Sequence, residues 1–202
     1  MKRGFSLVEM LVVVGIIAAL IAAMIGGYAG VTKMSEKTRC NELVSNVATA
    51  MQAYYVKNGC WPKRLATEAA SGDGKLDETA AYALASGGYL SASYDSDQKK
   101  LKGLDRFGIV SPWATAVLKN RGRDASLTTV VTGKTTVDDH RLHFAVDLDG
   151  DGVTDAKVGG TTVKVRAPAM VWCGGKDGRI ESYAKGVRGD DVYSWSPDQR
   201  VR

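Results

Sequence analysis

The chain has 202 residues, of which 45% are hydrophobic and 24% are charged, and it carries a formal charge of +5. These proportions are typical of a globular protein and exclude a disordered or collagen-like chain, and the length suits one domain with an appendage. The basic residues form only short runs with acidic residues close by, so nucleic-acid binding is not expected.

A long apolar segment begins almost at the N-terminus, after Lys2 and Arg3. Residues 5–25 carry a single charged side chain, Glu9. As a helix they would reach ~32 Å, enough to cross a hydrocarbon core of ~30 Å. An ordinary secretory signal peptide and a plain membrane anchor share these features. Neither accounts for Glu9, because a carboxylate in a membrane helix costs on the order of 3 kcal/mol and usually faces a specific partner.

Cleavage of the chain after Gly4 would provide such a partner. It would create an α-amine at Phe5, four residues before Glu9, and residues i and i+4 share one helix face. The same ion pair can form between neighbouring subunits of a bundle. A bare anchor with an isolated glutamate is the alternative.

This segment resembles the processing site of type IV prepilins and of the pseudopilins of type II secretion. The resemblance covers the basic start, Gly4, Phe5, Glu9 at the fifth mature position and the apolar run. It implies that residues 1–4 are a leader, that a prepilin peptidase cleaves after Gly4 and methylates the amine of Phe5, and that Glu9 acts in subunit docking. It also implies a single-pass protein of the bacterial inner membrane, with its globular domain in the periplasm, that is extracted into a filament.

Helical periodicity continues beyond the apolar segment. It predicts an amphipathic half of the N-terminal helix at residues 31–58, after a transmembrane half at residues 5–30. The apolar stripe of the second half consists of Cys40, Leu43, Val44, Val47, Met51, Tyr54 and Tyr55. Asn58 and Gly59 are typical of a helix C-cap, and Pro62 follows, so the helix is expected to end there.

The end of this helix resembles the helix exit of the major pseudopilin, where aromatic, polar-glycine and aromatic-proline positions recur. Residues 53–62 carry that pattern, which favours a pseudopilin over an adhesive pilin. Residues 63–104 are polar and predict mostly loops, with one short helix at residues 76–85. Ser111 as N-cap, with proline next, predicts a helical turn through residue 118.

Four strand patterns follow, at residues 127–132, 141–146, 161–166 and 169–172. A long helix followed by adjacent strands indicates an α+β fold, with an antiparallel sheet packed on the helix stripe. A pilin-like fold, as the resemblance implies, has this arrangement. Residues 59–202 are then the globular domain.

An aspartate-rich segment follows the second of these strands. Asp147, Asp149, Asp151 and Asp155 are interspersed with glycines, and such a set of carboxylates suits Ca²⁺, which takes six to eight oxygen ligands. The segment is similar to the first nine positions of an EF-hand loop, but Val158 occupies the position of the bidentate glutamate. A polar β-turn is the alternative.

The C-terminal region resembles the calcium loop of major pseudopilins. A Gly-x-Asp-Gly segment at residues 175–178 precedes an aspartate pair and a tryptophan. The resemblance implies that Asp177, Asp190 and Asp191 bind Ca²⁺ together with backbone carbonyls. Lys185 and Arg188, in the segment between these acids, could pair with them instead, so a surface ion-pair cluster is the alternative.

Three cysteines, Cys40, Cys60 and Cys173, are an odd number in a chain predicted to be exported. If residues 40–57 are helical, Cys40 and Cys60 lie ~25 Å apart, far beyond the ~7 Å limit for the Cα atoms of a disulfide. Cys60 with Cys173 is therefore the preferred disulfide, and three free buried thiols are the alternative.

No enzyme is expected from this sequence. His140 and His143 are its only histidines, and the strand pattern places them on opposite faces, so they are not expected to converge on a metal. The sequence lacks a Walker loop and the HExxH, G-x-S-x-G and dinucleotide-binding motifs.

Residues and resemblance together predict a pseudopilin that polymerises through its N-terminal helix into a periplasmic pseudopilus supporting type II protein secretion. The expected partners are further copies of the chain, other pseudopilins, prepilin peptidase, the inner-membrane secretion platform and the membrane. A type IV pilus subunit for adhesion, motility or DNA uptake is the alternative within the family. A membrane-anchored calcium-binding module that does not polymerise is the alternative from another class.

Overall fold

The computed structural model describes residues 7–181 and 190–195, with the side chains of residues 23–33 and of residue 104 outside the description. The chain divides into two units, Met1–Glu36 and Lys37–Arg202. Helix α1, Leu7–Asn58, begins in the first unit and ends in the second.

In the first unit, the described side chains of residues 7–22 are all exposed. Across the described residues, no helix combines the length and the hydropathy that a membrane crossing requires. The predicted cleavage site at Gly4 and Phe5 lies outside the described residues, and the predicted transmembrane half, residues 5–30, lies only partly within them.

In the second unit, α1 buries the predicted apolar stripe. Four of its side chains are at most 1% exposed: Cys40, Val44, Val47 and Met51. Val56, outside the stripe, is 83% exposed. The helix ends at Asn58, and the N–H of Gly59 donates to the carbonyl of Tyr55 at 2.8 Å with a φ of 67° at the glycine. The predicted C-cap is thereby confirmed, because this left-handed conformation favours glycine.

Three shorter helices follow: α2 at Lys63–Ala69, α3 at Glu78–Ser86 and α4 at Pro112–Arg121. The last two confirm the predicted helices at residues 76–85 and 112–118 to within a few residues. The sequence predicted a loop at residues 63–69, and the structure has helix α2 there instead. It forms because Leu65 and Ala69, one turn apart, are both buried in the core.

A four-stranded antiparallel sheet forms the centre of the second unit. Its strands are β1 Gly74–Lys75, β6 His143–Val146, β9 Ala169–Cys173 and β10 Val192–Tyr193, and they neighbour one another in this order. In the β6–β9 register, Phe144 lies opposite Val171 and Ala145 opposite Met170. The first pair belongs to the core shared with α1, and the second to a separate core on the other face. Both central strands are therefore buried on both faces.

An antiparallel hairpin, β7 Thr154–Val158 and β8 Thr161–Val165, packs on that second face. Strand β8 was predicted, whereas β7 was assigned to the aspartate-rich turn. Its residues alternate between buried and exposed, and Ala156 and Val158 are fully buried. Asp155 is consequently an exposed strand residue and not part of the turn.

Two small hairpins and three 3₁₀ turns complete the described part. The hairpins are β2 Tyr94–Asp95 with β3 Lys100–Leu101, and β4 Val130–Thr132 with β5 Thr135–Thr136. The turns span Gly103–Phe107, Gly122–Asp124 and Asp138–His140. A long helix followed by antiparallel strands confirms the α+β prediction and is consistent with a pilin-like fold.

Candidate functional site

Glu9 lies in the first turn of α1 and is exposed. The next charged residue along the chain is Lys33, so a single carboxylate stands on an otherwise apolar stretch. Its predicted partner, the α-amine of Phe5, lies outside the described residues. An acid in this position is suited to pairing with a cation in an apolar environment, where the attraction between opposite charges is strongest.

Three carboxylates converge in the turn that follows β6. Asp147, Asp149 and Asp151 each place a carboxylate oxygen within 4.8 Å of the others. The fourth predicted ligand, Asp155, is on β7 with its Oδ2 atom 2.9 Å from the Nζ atom of Lys164. The structure therefore brings together three of the four acids of this set.

Asp147 closes this turn. Its Oδ1 atom accepts the N–H of Gly150 at 2.7 Å, and its Oδ2 atom accepts the N–H of Gly152 at 2.8 Å. Burial alone would raise the pKa of Asp147, but hydrogen bonds from Gly152, Gly150 and Asp149 together outweigh it and hold the pKa below its usual value. Asp147 is thus a buried carboxylate that stays ionised at neutral pH.

The helix exit contacts this turn directly. The indole Nε1–H of Trp61 donates to the carbonyl oxygen of Asp147 at 2.6 Å. The ring of Tyr55 stacks on Trp61, with centroids 4.7 Å apart and planes inclined by 21°. Two motifs singled out separately in the sequence, the aromatic helix exit and the aspartate-rich turn, therefore form one site. Because the two motifs are far apart in the sequence, the sequence did not predict this contact.

The C-terminal acids are arranged differently. Within the described ranges, the Asp147 cluster is the only group of three ligand side chains at metal-binding separation, so Asp177, Asp190 and Asp191 do not form a second one. Each of these carboxylates accepts a backbone N–H from the same region. The donors are, in turn, Arg179, Lys176 and Glu181.

Asp191 has the most perturbed carboxyl group of this region. Burial raises its pKa to about 6, although hydrogen bonds from the N–H of Glu181 and the hydroxyl of Tyr193 to Oδ2 act in the opposite direction. Its Oδ1 atom is buried without a hydrogen-bond partner among the described residues. That oxygen can accept a proton or a cation.

The two histidines have separate surroundings. The Nδ1 atom of buried His140 lies 3.1 Å from the hydroxyl of Ser111, and burial lowers the pKa of this imidazole. Ser111 occupies the predicted N-cap position of α4, with Pro112 as the first helical residue. Its hydroxyl contacts His140 and does not cap the helix, which has no side-chain capping hydrogen bond. The Nδ1 atom of His143 lies 2.5 Å from Oδ1 of Asp73, and its ring stacks on Trp172.

The predicted disulfide between Cys60 and Cys173 is wrong. The Sγ atom of Cys173 lies 2.7 Å from that of Cys40, and both cysteines are buried, whereas Cys60 is exposed. With a Cys40–Cys60 disulfide excluded by distance, Cys173 could still pair with either Cys40 or Cys60. Strand β9 decides between them, because it turns Cys173 into the core that α1 shares.

Comparison with known proteins identifies the N-terminal motif. Residues 1–25 match the family described as "Prokaryotic N-terminal methylation motif". Over 63 residues, the chain is 29% identical to the "Type IV major pilin protein PilE" of Neisseria gonorrhoeae. The chain is a type IV prepilin-like protein. The aligned segment covers 31% of this prepilin-like chain and 38% of the gonococcal pilin, and no solved structure matches significantly.

Proposed function

We propose that this prepilin-like protein is a structural subunit that polymerises through its N-terminal helix into a filament. Type IV pilin-like proteins are in general processed by prepilin peptidase and assembled in this way, which supports the proposal. The observation that carries it is the exposed surface of residues 7–22, where Glu9 is the only charged residue. Lipid covers such a surface before assembly, and neighbouring helices cover it afterwards.

Glu9 has a defined role in this scheme. Cleavage after Gly4 produces the α-amine of Phe5, and the carboxylate of Glu9 from a neighbouring subunit neutralises it inside the bundle. Removing one member of such a buried pair leaves an uncompensated charge, which typically destabilises by about 3–5 kcal/mol. Assembly is therefore expected to depend on Glu9 far more than membrane insertion does.

Replacement of Glu9 by glutamine tests this scheme, with Glu42→Gln as the matched control. Both residues are exposed glutamates of α1, but Glu42 lies in the second unit. We expect Glu9→Gln to be inserted and cleaved normally but absent from filaments sheared off the cells, as measured by immunoblotting of membrane and sheared fractions. Glu42→Gln should assemble as the unchanged protein does. Normal assembly of Glu9→Gln would favour an anchored module that does not polymerise.

Within this class we propose a pseudopilin of type II secretion. The aromatic helix exit at residues 53–62 and the aspartate-rich turn support it, and the contact of Trp61 with Asp147 joins the two. The second candidate is a type IV pilus subunit, which the similarity to the gonococcal pilin supports. Deletion of the gene separates them: loss of extracellular enzymes with normal surface motility supports secretion, and the reverse supports a pilus. Cross-linking in the membrane would then identify the other pseudopilins and the secretion platform as partners.

We also propose that the aspartate-rich turn binds Ca²⁺ through Asp147, Asp149 and Asp151. Three carboxylates supply up to six oxygens, which suits this ion, and the lone pairs of Asp147 not used by N–H groups remain available. The ion would hold the turn against the helix exit, since Asp147 also accepts the indole N–H of Trp61.

Terbium luminescence tests the calcium proposal, because Tb³⁺ replaces Ca²⁺ and is excited through a nearby indole ring. We expect a Tb³⁺ signal that Ca²⁺ displaces, that Trp61→Phe removes, and that the double variant of Asp149 and Asp151 to asparagine also removes. The double variant of Asp177 and Asp190 to asparagine is the control and should leave the signal unchanged. A signal that survives Trp61→Phe but not the control variant would place the ion in the C-terminal region instead.

A further inference from the structure

Cys40 and Cys173 form the closest contact between cysteines in the described part of the chain. Their Sγ atoms lie 2.7 Å apart, although the residues are 133 positions apart in the sequence. Cys40 is 0% exposed and Cys173 is 1% exposed. At this separation the sulfur atoms are only ~0.7 Å beyond the length of a disulfide bond, so small side-chain rotations are sufficient to close it.

We infer that Cys40 and Cys173 form a disulfide bond in the mature protein, one that links the α1 helix covalently to strand β9. The inference rests on the proposed export of the second unit, because disulfides form and persist in oxidising compartments such as the bacterial periplasm. Cys60 is exposed and takes no part in the bond. This assignment accounts for all three cysteines, as one disulfide and one free surface thiol.

The bond requires a two-electron oxidant. The two thiols lose their protons and two electrons as the Sγ–Sγ bond forms, and a disulfide-containing oxidant takes up both as its own S–S bond breaks to give two thiols. The thiolate is the attacking species, and the hydrogen bond to Cys173, together with burial, raises the pKa of Cys40. Oxidation is therefore expected while the chain folds, before β9 covers the thiols. Once formed, the buried bond should resist reductants.

The position of the bond suits a subunit that is pulled by its helix. Cys40 is near the start of the second unit, and Cys173 ends the strand that pairs with both β6 and β10. Force applied along α1 would reach the central sheet through a covalent link as well as through apolar contacts. The helix could then not slide out of its core without breaking the bond.

Peptide mapping tests the inference directly, because trypsin places the three cysteines on different peptides. Cleavage after lysine and arginine gives residues 40–57, 58–63 and 167–176, each with one cysteine. The full chain is taken from cell membranes, alkylated under denaturing conditions without reductant, digested and analysed by mass spectrometry. We expect the first and third peptides to be linked, with the mass of two hydrogens missing, and Cys60 to carry the alkyl group. Alkyl groups on Cys40 and Cys173, or a bond that includes Cys60, would overturn the inference.

A refolding experiment tests whether the bond can form independently of the cellular compartment in which the protein is located. The reduced, denatured full chain is refolded in detergent with oxidised glutathione, and the same peptides are mapped. Failure to link Cys40 with Cys173 here overturns the inference whatever the location of the protein. A link formed on refolding but absent from cells would instead contradict the proposed export, and with it the bond in the cell.

Cysteine variants provide the control for the peptide mapping and show how much the bond contributes to thermal stability. Cys60→Ser should keep the linked peptide and the thermal midpoint of the unchanged protein. Cys40→Ala and Cys173→Ala should each lose the link and lower the midpoint by roughly 5–15 °C, as expected for a cross-link that closes a long loop. Reduction in denaturant, followed by refolding with reductant present, should lower the midpoint of the unchanged protein but not of these two variants. Should the variants fail to fold, peptide mapping of the unchanged protein still decides the question.

Discussion

Val47 and Val56 lie on the same helix in opposite environments, so replacing each by alanine measures what burial of the α1 stripe contributes. Val47 is 0% exposed and belongs to the main core, whereas Val56 is 83% exposed. Val47→Ala removes two buried methyl groups, which contribute ~0.8 kcal/mol each, and leaves a cavity, so the loss from burial is about 1.5–3 kcal/mol. Alanine is a better helix former than valine by about 0.5 kcal/mol, and this gain applies at both positions.

The two substitutions are therefore expected to act in opposite directions. Val47→Ala should lower the free energy of unfolding by about 1–2.5 kcal/mol, and Val56→Ala should raise it by up to ~0.5 kcal/mol. Urea and thermal unfolding of the full chain in mild detergent provide the measurement. All four tryptophans lie in the second unit, so their fluorescence reports on its unfolding. The thermal midpoints should differ by roughly 3–10 °C. Similar shifts in the same direction would refute the reasoning, because they would show that the stripe is not buried.

Two further predictions concern the C-terminal region. Because burial raises the pKa of Asp191 to about 6, above the 3.8 of an exposed aspartate, the folded state binds its proton more tightly. Its contribution to stability is then fully present below pH ~4 and is lost as the pH rises through ~6. Asparagine at this position does not titrate, so in chelator the unchanged protein should lose stability relative to Asp191→Asn as the pH rises across this window. A constant difference would contradict the burial of this carboxylate. Gly178→Ala should destabilise more than Gly88→Ala in urea unfolding, by a further ~1–3 kcal/mol. Both glycines have a left-handed φ, but only at Gly178 would the new methyl group clash, 2.7 Å from Nε2 of His140. Equal losses would show that backbone strain alone matters.

Local patterns in the sequence were sufficient for the elements that bury one regular face. The α1 stripe was predicted because a helix buried on one side repeats apolar residues every 3.6 positions. Strands β6, β8 and β9 were predicted from runs of β-branched and apolar residues. Strand β7 was missed although Thr154, Ala156 and Val158 alternate correctly. The aspartates and glycines just before them were interpreted as one long turn, which concealed where the strand begins.

Helix α2 and the cysteine pairing could not be predicted in the same way. The segment 63–69 has no side-chain cap and only one large apolar residue, Leu65, so its helix depends on the core that receives it. The pairing of Cys40 with Cys173 depends on how β9 crosses the core beside α1, which no local spacing encodes. The calcium candidates show the same limit, since the structure assembles Asp147, Asp149 and Asp151 but uses Asp155 in an ion pair.

The sequence by itself was sufficient for the N-terminal methylation motif, because such a motif is a linear segment in which only the order of the residues matters. The matched family at residues 1–25 is of this kind. Tertiary structure decided the contacts between distant segments, namely the sulfur pair in the core and the Trp61 indole on the Asp147 carbonyl. Those contacts form only after α1 and the sheet have packed, because packing, and not sequence separation, sets the distances on which bonds and ligands depend.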